Sequence, residues 1–189
     1  MIIIALGTVL VLVSRKSWLS KTLVVAAPVL FVAWSFSQSF APSQTFLFPE
    51  GFSGRFIVVE GEPCGLADRK EDGRFIIEVP SSGIVILQRP ARGGWVDDKF
   101  FIVGKDGVRS PITQSIAPLN AATIRPSVML GGSGSVGGLM SDGSSSTESA
   151  EAINFSDYYV LTADSNASFY DQAFDDMMVR LVKECRAIR

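Results

Sequence analysis

The sequence RFIVVE at residues 55–60 decides the fold, because it is apolar, rich in β-branched side chains and bounded by charges. Such a run predicts a strand packed on a core. Pro49, Glu50 and Gly51 lie upstream of it and have the composition of a turn, since proline presets one backbone angle and glycine accepts a positive one. This part of the chain is therefore predicted to enter a β-sheet.

Similar short runs follow it along the chain. They are RFIIEV at 74–79, IVIL at 84–87, the segment 95–103 with KFFIV at its end, and FSDYYVLT at 155–162. Turn residues separate them, and Asp72-Gly73 predicts a hairpin. Strands at intervals of about 10 residues are typical of an antiparallel β-sandwich or a barrel-like domain. The predicted fold class is therefore mainly β.

The second half of this domain departs from the strand pattern. Residues 131–149 are rich in Gly and Ser and predict a flexible loop. The chain then predicts one C-terminal amphipathic helix, with Ser168 as a candidate N-cap. Its apolar face either packs on the domain's own sheet or forms a partner surface, for which the candidate residues are Phe174, Met177, Met178 and Leu181.

The N-terminal 40 residues predict a membrane anchor. KTLVVAAPVLFVAWSFSQSF at 21–40 carries no charge from 22 to 36, which predicts a transmembrane helix. A shorter apolar run covers residues 1–13, and the charges between the runs, Arg15, Lys16 and Lys21, indicate a cytoplasmic loop. The anchor is then a helical hairpin or a single span. A cleaved signal peptide with its cleavage site at 39–41 is the alternative.

Under each of these alternatives, residues 41–189 are expected to be exported as one β-rich domain. The short apolar N-terminus indicates a bacterial protein, so we expect the inner membrane, with residues 41–189 on its extracytoplasmic, periplasmic side. The first 40 residues carry three of the 17 basic residues, which leaves 14 basic against 19 acidic residues in the domain, a net charge of −5. An acidic domain lacks the basic surface that binding to the phosphates of a nucleic acid requires.

The two cysteines, Cys64 and Cys185, both lie in the exported part. Thiols in such a compartment can be oxidised and remain so. A disulfide between them would close a loop of more than 100 residues, which is worth on the order of 4 to 5 kcal/mol in the chain-entropy view. Two separate buried thiols are the alternative.

The residue types argue against most catalytic sites. Histidine is absent, so Ser-His and Cys-His pairs cannot form, and the commonest zinc sites lose their main ligand. Two carboxylate pairs are left as acid–base candidates, Asp97 with Asp98 and Asp175 with Asp176. Neighbouring acids diverge on a strand or a helix, so solvated surface charge is the favoured interpretation. Asp97, Asp98, Asp106 and Asp142 are calcium candidates without the spacing of a known calcium loop.

GSGSVG at residues 132–137 matches the G-x-G-x-x-G pattern of dinucleotide sites. That pattern requires a strand before it and a helix after it, and the continuation GLMSDGS does not favour a helix. We therefore expect no cofactor and no nucleotide partner.

Two turn motifs resemble those of a family of small uncharacterised bacterial envelope domains. The first is FPEGFSGRFIVV at 48–59, with a P-E-G-F-x-G turn into a strand, and the second is IEVPSSGI at 77–84, with a V-P-x-x-G turn. The resemblance covers roughly residues 46–110. It implies an exported β-domain on a lipid or helical anchor, with no known activity. This chain has no lipobox cysteine after its apolar run, and its Gly/Ser segment and C-terminal helix lie outside the resemblance.

Three functional hypotheses follow from these features. The leading one is a non-enzymatic, membrane-anchored interaction module that binds another envelope protein or an incoming one, as an immunity or assembly factor would. The second is a carboxylate-based envelope hydrolase or glycan-binding protein that uses Asp97 and Asp98. The third is a structural subunit of a membrane complex that acts through residues 1–40.

Overall fold

A computed structural model describes residues 18–37, 43–91, 97–115, 126–162 and 170–188. These residues form two helices and nine strands. The helices are α1 (Trp18–Ser37) and α2 (Gln172–Ala187), and the strands are β1 (Gln44–Pro49), β2 (Gly54–Glu60), β3 (Lys70–Glu71), β4 (Arg74–Glu78), β5 (Ile84–Ile86), β6 (Asp98–Val103), β7 (Arg109–Ser115), β8 (Ser127–Val136) and β9 (Ile153–Leu161).

The chain divides into two compact units. One contains residues 1–41 and 93–96, and its described part is helix α1 with Pro28 inside it. The other contains residues 42–92 and 97–189, and it holds all of the described strands together with α2.

The segment predicted to cross the membrane lies in α1. Among the described residues, however, no helix combines the length and the apolar character that a membrane crossing requires. The predicted transmembrane helix at 22–36 is therefore not supported. The apolar run at 1–13 and the candidate cleavage site at 39–41 lie outside the described residues.

The nine strands form one mixed sheet in the order β3-β4-β1-β6-β7-β8-β9-β2-β5. The prediction of a mainly β domain is confirmed, but the prediction of an antiparallel one is wrong. Strand β1 runs parallel to both of its neighbours, β4 and β6, and two further pairs, β2–β5 and β7–β8, are also parallel. The reason is that consecutive strands β1 and β2 do not pair, because the turn between them leads to the other half of the sheet.

One face of the sheet encloses an aromatic core. Phe46 of β1 and Phe56 of β2 lie five positions apart in the strand order, yet their ring centroids are 5.8 Å apart. Phe48 also meets Phe56, and Tyr158 of β9 stacks on it at 4.8 Å. The two halves of the sheet therefore pack their inner faces against each other, as in a sandwich.

Helix α2 covers the outer face of β2 and β5. Ile57, Val59 and Ile84 form a second core with Met178 and Val182 of the helix. The C-terminal helix is thus confirmed, although its N-cap is Asp171, whose side chain accepts a hydrogen bond from the backbone N–H of Phe174 at 3.1 Å. The candidate cap Ser168 lies outside the described residues.

Strand β8 occupies part of the predicted Gly/Ser loop. Residues 132–136 pair with β9, so this portion of the predicted loop is wrong. The low strand propensity of glycine is overcome because β9 supplies a partner backbone. A Cβ atom on Gly134 would lie 2.9 Å from the ring of Phe155, so the glycine also leaves room for that ring. The G-x-G-x-x-G pattern therefore lies mostly in a strand.

The Asp72-Gly73 hairpin joins β3 to β4 as predicted. Both residues have positive φ, 50° and 78°, which is the geometry of the turn that favours Asn or Asp followed by Gly.

Candidate functional site

The structure separates the predicted pair Asp97 and Asp98. Asp97 is exposed, and its Oδ2 atom lies 2.5 Å from Nη1 of Arg74. The hydrogen bond from Arg74 lowers the pKa of the Asp97 carboxyl. Asp98 begins β6 and is mostly buried. Adjacent acids therefore point to different environments, as expected for residues at a strand end.

Asp98 belongs to an inner polar cluster, which we define as Glu60, Arg89, Asp98, Ser156 and Tyr158. Burial raises the pKa of Asp98 to about 6, and the charges of Asp97 and Glu60 add to this against the opposing charges of Arg74 and Arg89. Its Oδ1 atom is buried and has no hydrogen-bond partner among the described residues. Asp98 can therefore exchange a proton near neutral pH.

Glu60 is the second carboxyl of the cluster and ends strand β2. Burial raises its pKa, while the charge of Arg89 and a hydrogen bond from Ser156 oppose the shift. The Ser156 Oγ lies 3.5 Å from Oε2 of Glu60. Burial also raises the pKa of Tyr158, and the charges of Asp98 and Glu60 reinforce that effect. The cluster thus holds two carboxyls with raised pKa values within electrostatic reach of a phenol.

Arg89 follows β5 and supplies the positive charge of the cluster. Its side chain is more than nine-tenths buried, with the guanidinium 4.0 Å above the ring of Phe75. Nη1 donates to Oδ1 of Asp68 at 3.3 Å, and the backbone carbonyl accepts from the N–H of Gly61. Nη2 is buried and has no hydrogen-bond partner among the described residues.

The remaining carboxylate candidates have local structural roles. Asp106 accepts a hydrogen bond from the N–H of Val108, and Asp142 accepts two from Ser144, so each shapes its own turn. In the described part of the chain, no group of three or more His, Cys, Asp or Glu residues is arranged to hold a metal ion. The four calcium candidates are therefore not brought together.

The second carboxylate pair, Asp175 and Asp176, is also separated. Asp175 forms an ion pair with Arg55 at 2.9 Å, whereas Asp176 accepts a hydrogen bond from Gln172 on the same helix. Arg55 additionally binds Asp157 at 2.9 Å and lies 5.2 Å from the ring centroid of Phe174. These contacts fasten the N-terminal end of α2 to the sheet.

The C-terminal end of α2 is fastened by a disulfide and an ion pair. The disulfide joins Cys64 to Cys185. The next residue, Arg186, binds the buried carboxylate of Glu62 through Nε at 2.8 Å and Nη2 at 2.5 Å. The helix is therefore tied to the sheet at both ends.

The predicted partner surface of α2 faces the sheet. Met178 is 1% exposed, and Phe174, Met177 and Leu181 pack against the same core. This face of the helix therefore packs on the domain's own sheet, while Phe174, Met177 and Leu181 stay partly exposed, so a partner surface at these residues stays a prediction.

Apolar side chains are exposed at the far end of the β8–β9 hairpin. Val136, Leu139 and Met140 are 40%, 74% and 45% exposed. We call these three residues the apolar turn. The segment after them is held by hydrogen bonds, for example from the N–H of Ser146 to the carbonyl of Gly138 at 2.9 Å.

Residues 41–169, well over half of the chain, match a family described as "Family of unknown function (DUF6843)". The chain belongs to this DUF6843 family. The matched range contains every described strand, the inner polar cluster and the apolar turn, whereas α2 lies beyond it.

The fold of this DUF6843 member is similar to that of a crystal structure described as a "Putative Lipoprotein from Bacillus anthracis". The two chains are 18% identical, with a TM-score of 0.54 over 78% of this chain and 96% of the other. No curated protein matches the chain. The likeness shows a shared fold.

Sequence reasoning missed Glu60, Arg89 and Tyr158 as site residues. Glu60 follows four apolar residues of its strand, FIVV at 56–59, which is a weak sign that a charged side chain lies at the edge of a core. Arg89 and Tyr158 gave no comparable signal in the sequence. Their places in the inner polar cluster depend on strand pairings between distant parts of the chain.

Proposed function

We propose that this protein is an extracytoplasmic interaction module that binds another protein of the bacterial envelope and does not act as an enzyme. The observation that carries the proposal is the apolar turn at the end of the β8–β9 hairpin. Single exposed apolar residues are normal on protein surfaces, but three within five positions at one end of a hairpin concentrate exposed apolar surface there.

The disulfide supports the extracytoplasmic location. Disulfides persist in oxidising compartments and are rare in the cytosol. The bridge between Cys64 and Cys185 joins a loop to the terminal helix across 121 positions, so it has a structural place in the fold. The similarity to a protein described as a lipoprotein supports an envelope location as well.

The test is purification of the full-length protein from envelope fractions, followed by mass spectrometry of the proteins that travel with it. A double variant, Leu139→Ser with Met140→Ser, removes apolar surface at exposed positions. Val108→Ser is the matched control, because Val108 is 59% exposed on a different turn. We expect a stoichiometric partner with the wild type and the control, and at least a tenfold loss with the double variant. Equal recovery of the partner with all three proteins would show that the apolar turn does not take part in the interaction.

The inner polar cluster favours a second candidate, a carboxylate-based envelope hydrolase or glycan-binding protein. Asp98 has a pKa of about 6 and lies within electrostatic reach of Glu60, so it could act as a general acid or base. Asp97 is paired with Arg74 outside the cluster and does not fit this role. An activity on purified cell-wall glycan that is lost in Asp98→Asn and kept in Asp97→Asn would support this candidate, whereas equal activities in the two variants would contradict it.

A further inference from the structure

The second half of strand β8 has an unpaired edge. On one side, β8 pairs with β9 as far as Val136, and on the other side β7 pairs only with residues 127–129 of β8. Among the described residues, no strand therefore lies beside residues 130–136 on the side that faces away from β9. Successive residues of a paired strand direct their backbone groups alternately to its two sides, so about three of these residues present an N–H and a C=O outward.

The two terminal strands of the sheet are protected against further pairing, whereas β8 is not. Strand β3 has only two residues, both of them charged, and β5 has three residues and is covered by Leu66, whose N–H donates to the carbonyl of Ile86 at 2.8 Å. Short, charged or covered edges are the usual ways in which proteins avoid strand addition. Strand β8 is ten residues long, SVMLGGSGSV, without charge or proline, and residues 130–136 are exposed except for the half-buried Gly132. Its edge is therefore open to an added strand.

The outer face beside this edge favours apolar side chains on an added strand. Phe155 of β9 lies opposite Gly134, and a Cβ atom at Gly134 would be 2.9 Å from the phenyl ring, so the ring lies over the glycine. A Cβ atom at Gly132 would have no atom of the described residues within 4 Å, so the space beside it is open. Val136 is on the same face as Gly134, two positions further on, and is 40% exposed. A bulky apolar side chain on a neighbouring strand would contact Phe155 and Val136.

A second copy of this chain is a poor match for the edge. Antiparallel pairing of β8 with itself would place glycine and serine opposite glycine and serine, which would leave the ring of Phe155 uncovered. Residues 127–141 carry no charge, so the edge also has no group that would pair with a charged segment. These conditions favour an uncharged extended segment of another protein, with apolar side chains at alternate positions.

We propose that the envelope partner of the proposed function, on which this inference rests, binds by adding an extended, uncharged segment as a strand beside residues 130–136 of β8. Its backbone pairs with the outward N–H and C=O groups, and its alternate apolar side chains lie against Phe155 and Val136. Val136 belongs both to this edge and to the apolar turn, so one partner contacts both.

The first measurement is amide hydrogen exchange of the purified full-length protein without a partner. We expect about three amides within residues 130–136 to exchange rapidly, because they face outward, and the amides that donate to β9 to be protected. Protection of all of these amides would show that the edge is already covered, which would overturn the proposal.

The probe for binding is a synthetic peptide with blocked ends, KTVTFTVTK, in which apolar side chains alternate with threonine. We expect saturable binding in calorimetry and slower exchange of the outward amides. The same peptide with methyl groups on its internal amide nitrogens keeps the side chains but cannot donate backbone hydrogen bonds, so it should bind at least about tenfold more weakly. The peptide KTSTSTSTK should also bind at least about tenfold more weakly, because it lacks the apolar side chains.

A charged edge is the variant that tests the location. Ser133→Lys with Ser135→Lys places two lysines at exposed positions of the edge, and Ser81→Lys with Gln88→Lys adds the same charge at exposed positions elsewhere. We expect at least about a tenfold loss of peptide affinity in the edge variant and none in the control, because lysine on an edge opposes strand addition. Leu139→Ser with Met140→Ser, which tests the proposed function, should leave the peptide affinity unchanged, so the two proposals can fail separately.

The proposal would be overturned by the absence of saturable peptide binding, by equal affinity for the methylated peptide, or by equal affinities of the edge variant and its control. Analytical ultracentrifugation tests the other occupant. A dimer of the free protein that is lost in Ser133→Lys with Ser135→Lys would assign the edge to a second copy of this chain and would also overturn the proposal.

Discussion

Strand β2 has two buried faces that are stabilised in different ways. Its inner face, with Phe56 and Val58, belongs to a core built from the strands and the residues next to them, without α2. Its outer face, with Ile57 and Val59, is covered by α2, which is tied down by a disulfide and by ion pairs. The comparison indicates that the sheet closes its inner core through its own strand pairings, whereas the outer core depends on keeping one terminal helix in place.

Removal of the disulfide should have the largest effect and should act on the outer face. Replacing Cys64 and Cys185 by Ala opens a loop of 121 positions, for which loop-closure entropy gives a loss of about 4 to 5 kcal/mol. Urea unfolding measures the loss. Amide exchange should accelerate first in α2 and much less in β1 and β6, and uniform acceleration in all three elements would contradict the distinction between the two faces.

Phe56→Ala tests the inner face. The side chain is fully buried among Phe46, Phe48 and Tyr158, so its truncation should cost about 4 kcal/mol in the free energy of unfolding. Met178→Ala on the outer face is the matched variant, with an expected loss of about 3 kcal/mol. In urea unfolding, Phe56→Ala should lower the stability of all elements together, because the inner core joins both halves of the sheet. Local opening of α2 alone would argue against this assignment.

Asp98→Asn should have the smallest effect and should appear in the pH dependence. The folded-state pKa of about 6 lies above the ordinary value of 3.8, so the folded state binds this proton more tightly than the unfolded state does. The wild type should therefore lose stability as pH rises from about 4 to 6, and Asp98→Asn should not show this loss.

At pH 8 we expect Asp98→Asn to be more stable than the wild type by about 2 kcal/mol, less than the full pKa difference would give because Asp98 keeps some solvent contact. Asp97→Asn is the control with the opposite sign, because the pKa of Asp97 is lowered and its contribution is lost as pH falls. Parallel stability curves for wild type and Asp98→Asn would contradict the burial of this carboxyl.

Much of the secondary structure could be predicted from the sequence because the relevant signals are local. RFIVVE at 55–60 corresponds to β2, and the apolar spacing after residue 170 corresponds to α2. The pairing of these strands could not be predicted in the same way. Strand β1 lies between β4 and β6, and no local pattern encodes parallel partners that are 31 and 54 positions away.

The candidate site was less accessible to sequence reasoning. Asp98 could be named because it is a carboxylate beside another, but the choice of Asp97 as its partner relied on sequence adjacency. The charge of Glu60, from a distant part of the chain, also acts on Asp98, and it comes within electrostatic reach only in the folded sheet. Burial of a charge is a property of the assembled fold, so its pKa could not be read from the sequence.

The pairing of β2 with β9 also determines when the domain can fold. Gly54 faces Val160 in that pair, so β2 must wait for more than 100 further residues before its ladder can form. Such long-range contacts give a high contact order and slow folding. During synthesis, the aromatic residues of the first strands therefore emerge well before their partners, and this interval is when the chain is most exposed to aggregation and to proteases.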